Sequence, residues 1–136
     1  EIEMGLVAGE IEVSDLPEIW NAKMKEYLGI TPPNNRLGVL QDVHWAHGQI
    51  GTFANYTIGN LMGAQFYQAA LQQVPGLASF LENGQYAPLL EWLTSNIYRH
   101  GRAYPPNELL LRATGHELET GPFLNYLNNK FGELYP

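Results

Sequence analysis

The chain has 136 residues, 45% of them apolar and 12% aromatic, which is enough for one folded domain with its own core and no more. Seven basic residues against fourteen acidic ones leave a net charge of −7, and this argues against nucleic-acid or anionic-membrane partners, since both demand a basic face. The lack of cysteine removes disulfides, thiolate zinc sites and cysteine nucleophiles together, and it fits a reducing cytosol. No apolar run approaches the roughly 20 residues of a membrane span, and no stretch reads as a secretory signal.

Taken in chain order, the pattern is helical throughout. EIEMGLVAGE, Glu1 to Glu10, places Ile2, Leu6 and Val7 at helical spacing with no capping residue ahead of them. An uncapped start of this kind suggests a chain cut from something longer. Asp15 and Glu18 in DLPE have the spacing of a capping box, with Pro17 tolerated in the first turn. Leu16, Ile19, Trp20, Met24, Tyr27 and Leu28 then form one apolar face, Gly29 stops the helix, and ITPPNN reads as a loop. Gly38 to Gly51 is dense in glycine and polar residues and reads as a turn or short helices.

The longest helix is expected over roughly Phe53 to Val74. Tyr56, Gly59, Gly63, Phe66 and Ala70 fall near one stripe, and the small residues there would let another helix approach closely. Pro75-Gly76 ends it. Further helices are expected from about Pro88 to Tyr98, from Pro105-Pro106 through Ala113 with Gly115 closing, and from Gly121-Pro122 through Phe131. Trp20 and Trp92 read as core. No period-two alternation of useful length appears, so the fold class is all-α, and residues 1–136 are expected to form a single helical unit.

The candidate chemistry concentrates in LQDVHWAHG, Leu40 to Gly48. His44 and His47 are three residues apart and would share a face of a helix. His-x-x-His alone is a weak metal signal because zinc takes three or four ligands. Asp42 could be a third ligand, and pairing of the histidines with backbone or carboxylates is the plainer alternative. His116-Glu117 is not a zinc-peptidase helix motif, because the position for the second histidine is Thr120. Tyr56 follows His47 by nine residues, and its hydroxyl could donate to a developing oxyanion or simply pack in the core. Arg102 could clamp a carboxylate or form a structural ion pair. Ser14, Ser79 and Ser95 lie in no nucleophile elbow.

GVLQDVHW, Gly38 to Trp45, resembles the motif G-x-x-Q-D-x-H-W of the thermostable, Taq-type zinc carboxypeptidases. The likeness continues through HGQIGTFANYTIGNLMGAQFY and YRHGRAYPPNELLLRATG, and back to DLPEIWNAKMKEYLGITPP, so it covers nearly the whole chain. It implies the C-terminal portion of a larger helical enzyme that releases single amino acids from peptide C-termini. Family members are considerably longer chains and bind zinc through H-E-x-x-H and a later glutamate, with the motif glutamate as general base. Neither is present here, so the metal site is expected upstream and no metal ligand within this chain.

On this resemblance the chain supplies one wall of the active-site cleft. His47 and Tyr56 are then candidate donors to the tetrahedral oxyanion. Asp42 would accept from a histidine and fix its tautomer, and His44 and Trp45 would line the cleft near the substrate's C-terminal residue. The resemblance further implies a cytoplasmic homodimer, a peptide substrate, and the missing N-terminal portion as the chain's own partner. The chain alone should then be inactive. The competing reading is a non-enzymatic α-helical dimerisation or binding module.

Overall fold

A computed structural model describes residues 1–132, 134 and 135. Every regular element among them is helical, in agreement with the all-α expectation. The chain divides into two compact units, Glu1–Ala54 and Asn55–Pro136.

The first unit holds α1 (Ile2–Ala8), α2 (Leu16–Leu28) and the short α3 (Val43–Ala46). Gly9 and Gly29 end α1 and α2 at φ near +70°, where a side chain would be strained. Gly5 is buried because Ile11 closes over it. A methyl group there would lie 2.6 Å from Ile11 Cδ1. The capping box foreseen at Asp15 does not form. Val13–Asp15 is a 3-10 turn, so Asp15 already has helical dihedrals (φ −90°, ψ −8°) and its side chain caps nothing. An N-cap needs an extended backbone to turn its oxygen back onto the first turn.

Polar contacts hold α1 in place. Tyr27 Oη donates to the Glu1 carboxylate at 2.8 Å, and Lys23 Nζ lies 2.9 Å from the same group. The Lys23 ammonium, then the Tyr27 hydroxyl, hold the Glu1 carboxyl below the usual carboxylate range. Trp20 is only partly buried, and its Nε1 lies covered without a hydrogen-bond partner.

The second unit is built on α4 (Ala54–Gln73), with α5 (Leu77–Glu82), α6 (Ala87–Asn96), α7 (Pro106–Thr114) and α8 (Gly121–Phe131). Ala69, Ala70, Leu77, Trp92 and Ala113 form its core, with Phe66, Val74, Leu81, Leu89, Leu93 and Ile97 packed around them. Each fully buried leucine, Leu77 and Leu110, contributes roughly 1.5–3 kcal/mol. Gln73 bridges three helices, accepting from Trp92 Nε1 at 2.8 Å and donating to the Ala113 carbonyl at 3.2 Å. The buried Gln65 donates to the Glu117 carbonyl and accepts from the Glu119 amide, fastening the segment after α7 to α4.

Helix α5 was not expected. Its six residues are too few for a periodic signal. Gly76, at φ +78°, does end the preceding turn, but Leu77 and Leu81 then start a new one against the core. The stripe on α4 is used only in part among the described residues: Phe66 and Ala70 pack in the core, whereas Gly59 and Gly63 have open space beside them. Side chains added at Gly59 and Gly63 would meet no atom within 4 Å.

Candidate functional site

Asp42 is the N-cap of α3 and has the extended backbone that capping needs (φ −72°, ψ 112°). Its side chain is 5% exposed. Oδ1 accepts from the His44 amide at 2.7 Å and more weakly from the Trp45 amide at 3.4 Å. The same oxygen lies 3.3 Å from His44 Nδ1. A carboxylate can only accept, so Nδ1 carries the proton, and the tautomer of His44 is set by a residue two positions away. The His44 ring tilts against Phe53 at 4.8 Å between centroids, and Trp45 meets the same Phe53 edge-on at 6.0 Å.

His47 is exposed at the C-terminal end of α3. Its Nδ1 lies 2.7 Å from the Val43 carbonyl, which again fixes Nδ1 as the donor. The remaining nitrogen, Nε2, can therefore donate to an oxyanion only from the imidazolium.

Glu3 was not anticipated. Its carboxylate accepts from Trp45 Nε1 at 2.8 Å through one oxygen and from the Gly51 amide at 2.7 Å through the other. Partners 42 and 48 residues away leave no local signal. Glu3 and Asp42 line an open pocket of about 450 Å³ together with Met4, Trp20, Trp45 and Phe53.

Tyr56 stands in the first turn of α4, 63% exposed, in the second unit. The structure thus brings Asp42, His44 and Trp45 together and sets His47 at the end of the same turn. Arg102 is exposed beyond the Tyr98–His100 turn. Arg112 is committed elsewhere. It pairs with Glu108 at 2.8 Å, which raises its pKa further, and stacks on Tyr104 at 4.1 Å. His116 lies outside any helix, 3.6 Å from Glu119.

The described residues do not fit a metal. No group of three or more His, Asp or Glu among them could hold an ion. The idea of a metal site made by Asp42, His44 and His47 therefore finds no support in this geometry.

An all-helical chain with a capped D-x-H-W turn has close likenesses. Residues 1–131 match the family described as Carboxypeptidase Taq (M32) metallopeptidase, and the chain belongs to that family. It is 42% identical over 135 residues to Carboxypeptidase 1 of Bacillus subtilis, covering 99% of this chain and 27% of that protein. Against Thermostable carboxypeptidase 1 of Thermus thermophilus it is 41% identical, covering 99% and 26%. Among solved structures, the M32 carboxypeptidase from Deinococcus radiodurans matches with a TM-score of 0.93 at 47% identity, covering 98% of this chain and 27% of that one. Metallocarboxypeptidase 1 of Trypanosoma cruzi matches with a TM-score of 0.91 at 32% identity, covering 96% and 28%. The chain spans about a quarter of the length of these relatives.

Proposed function

We propose that this chain is the C-terminal portion of a zinc-dependent carboxypeptidase that removes single amino acids from peptide C-termini. It acts there as one helical unit forming one wall of the cleft. The observation that carries this reading is the match of residues 1–131 to a metallopeptidase family by a chain a quarter the length of its relatives.

Exposed surface supports the portion reading. The chain exposes 10,037 Å². A self-contained protein of 15.3 kDa exposes about 7,100 Å². Even two independent globular units sharing that mass as 54 and 82 residues would expose about 8,600 Å². In this reading the remainder of the protein covers part of that surface.

The zinc and its activated water belong to the portion outside this chain, and the roles assigned here are those of its own residues. Asp42 fixes the His44 tautomer and the start of α3. His44 and Trp45 line the cleft near the substrate's last residue. His47 and Tyr56 donate to the oxyanion. The intact protein is a cytoplasmic homodimer in this reading.

The test is to express the longer reading frame and measure release of single residues from peptide C-termini with zinc present. Tyr56→Phe should lower kcat by roughly 10²-fold. Unchanged kcat removes Tyr56 from the mechanism. If the longer protein releases nothing and the chain self-associates, the dimerisation-module reading takes its place.

A further inference from the structure

We propose that Glu3 is a positioning residue for the loop that carries His47. The proposal rests on the carboxypeptidase reading for its effect on turnover, but on geometry alone for the tie itself.

Apart from Glu3, the described bonds that hold the loop are short-range ones, such as the His47 ring on the Val43 carbonyl and Thr52 Oγ1 on the Gln49 carbonyl. Residues 47 to 51 are exposed, and Gly48 and Gly51 have φ of +69° and +77°. The Gly48 and Gln49 amides turn back onto α3, to the Trp45 and His44 carbonyls, and Ile50 bonds only to Gly48. The far end of the loop is fastened by the Gly51 amide on Glu3 Oε1. The near end, at α3, is fastened by the Trp45 indole on Glu3 Oε2. One carboxylate on α1 thus spans both sides of the turn at whose start His47 stands. Two acceptor oxygens on one carbon fix the separation of the two donors as well as their existence. Hydrogen bonds to an ionised acceptor are also stronger than neutral ones.

Glutamate is the side chain that meets this requirement. Glutamine has the reach, but its amide nitrogen would face an N–H donor, so it can satisfy one side only. Aspartate has the two oxygens but is one methylene short. A misplacement of about 1 Å in a positioning element can cost a factor of about 10² in turnover.

The experiment uses the longer, zinc-loaded protein with Glu3→Gln, Glu3→Ala and Trp45→Phe. Two readouts do not depend on turnover: hydrogen exchange at the Gly51 amide and the indole N–H resonance of Trp45. The expected result is faster Gly51 exchange or a shifted indole resonance in Glu3→Gln, and both in Glu3→Ala. Trp45→Phe should keep the Gly51 protection. Turnover should fall by about 10-fold or more in Glu3→Ala and less in Glu3→Gln, with kcat carrying the loss and KM and zinc content little changed. Unaltered Gly51 exchange and indole resonance in both Glu3 variants would overturn the tie. Altered exchange with unchanged kcat would overturn its positioning role. If the wild-type protein releases no residue, the functional reading fails, and the exchange and resonance data still decide whether Glu3 holds the loop.

Discussion

The two units keep their structure by different means. In residues 55–136 the interior is mostly apolar: Ala69, Ala70, Leu77, Trp92, Leu110 and Ala113 are all buried there, with Gln65 as a buried polar residue among them. In residues 1–54 the only buried residues are Gly5 and Gly38. That unit is held instead by carboxylates: Glu1 on Lys23 and Tyr27, Glu3 on Trp45 and Gly51, Asp42 on the start of α3. The candidate chemistry thus sits largely where apolar packing is thinnest. A polar network specifies position sharply but contributes little net stability per bond, about 0.5–1.5 kcal/mol. An apolar core does the reverse.

The largest test of this contrast is a pair of tryptophans. Trp92→Ala should cost about 3–5 kcal/mol in urea unfolding, since it empties the core and leaves Gln73 without its donor. Trp20→Ala removes a partly covered ring and should cost clearly less. Equal losses would break the distinction. Next in size is Asp42→Ala, which should cost about 0.5–2 kcal/mol through the lost cap. Circular dichroism melts and the His44 ring resonances would report it, and a silent variant would mean that α3 needs no cap.

Gly63→Ala and Gly59→Ala sharpen the comparison from the other side. Neither glycine has a positive φ, and among the described residues no atom lies within 4 Å of where a Cβ would be. Each substitution should therefore raise the stability of the isolated chain by about 0.5–1 kcal/mol. In the longer protein the same changes should lower stability if another helix packs there, and a gain in both would leave that face uncovered.

The smallest effect concerns pH. The folded Glu1 carboxyl takes up its proton less readily than the unfolded one. Its contribution is therefore complete above the ordinary carboxylate range and is lost as pH falls through the lowered value. Carbon-13 titration of Glu1 should show this depression, and Lys23→Met should largely abolish it.

Much of the fold was legible because its signals are local. Glycines at the ends of α2 and α7 and apolar spacing within the helices place most elements within a few residues. The failures were also local. At Asp15 a 3-10 turn pre-empted the capping geometry, and α5 was too short to show a period. The Asp42–His44 pair could be read because its partners are two residues apart. Glu3 could not, since nothing in EIE distinguishes one acidic residue on an acidic chain from another. Only the fold brings it to Trp45 and Gly51.

Glu1, at the N-cap of α1, and Glu3, in its first turn, are two residues apart and point to different partners. Glu1 meets a cation in the open, and Glu3 meets two neutral N–H groups beside a tryptophan. Their answers to ionic strength should therefore diverge. At 1 M salt the Debye length is about 3 Å, so the hold on α2 weakens while the hold on the His47 loop persists. In dilute buffer α1 is fastened by two such polar ties. In brine it keeps the one at the candidate site.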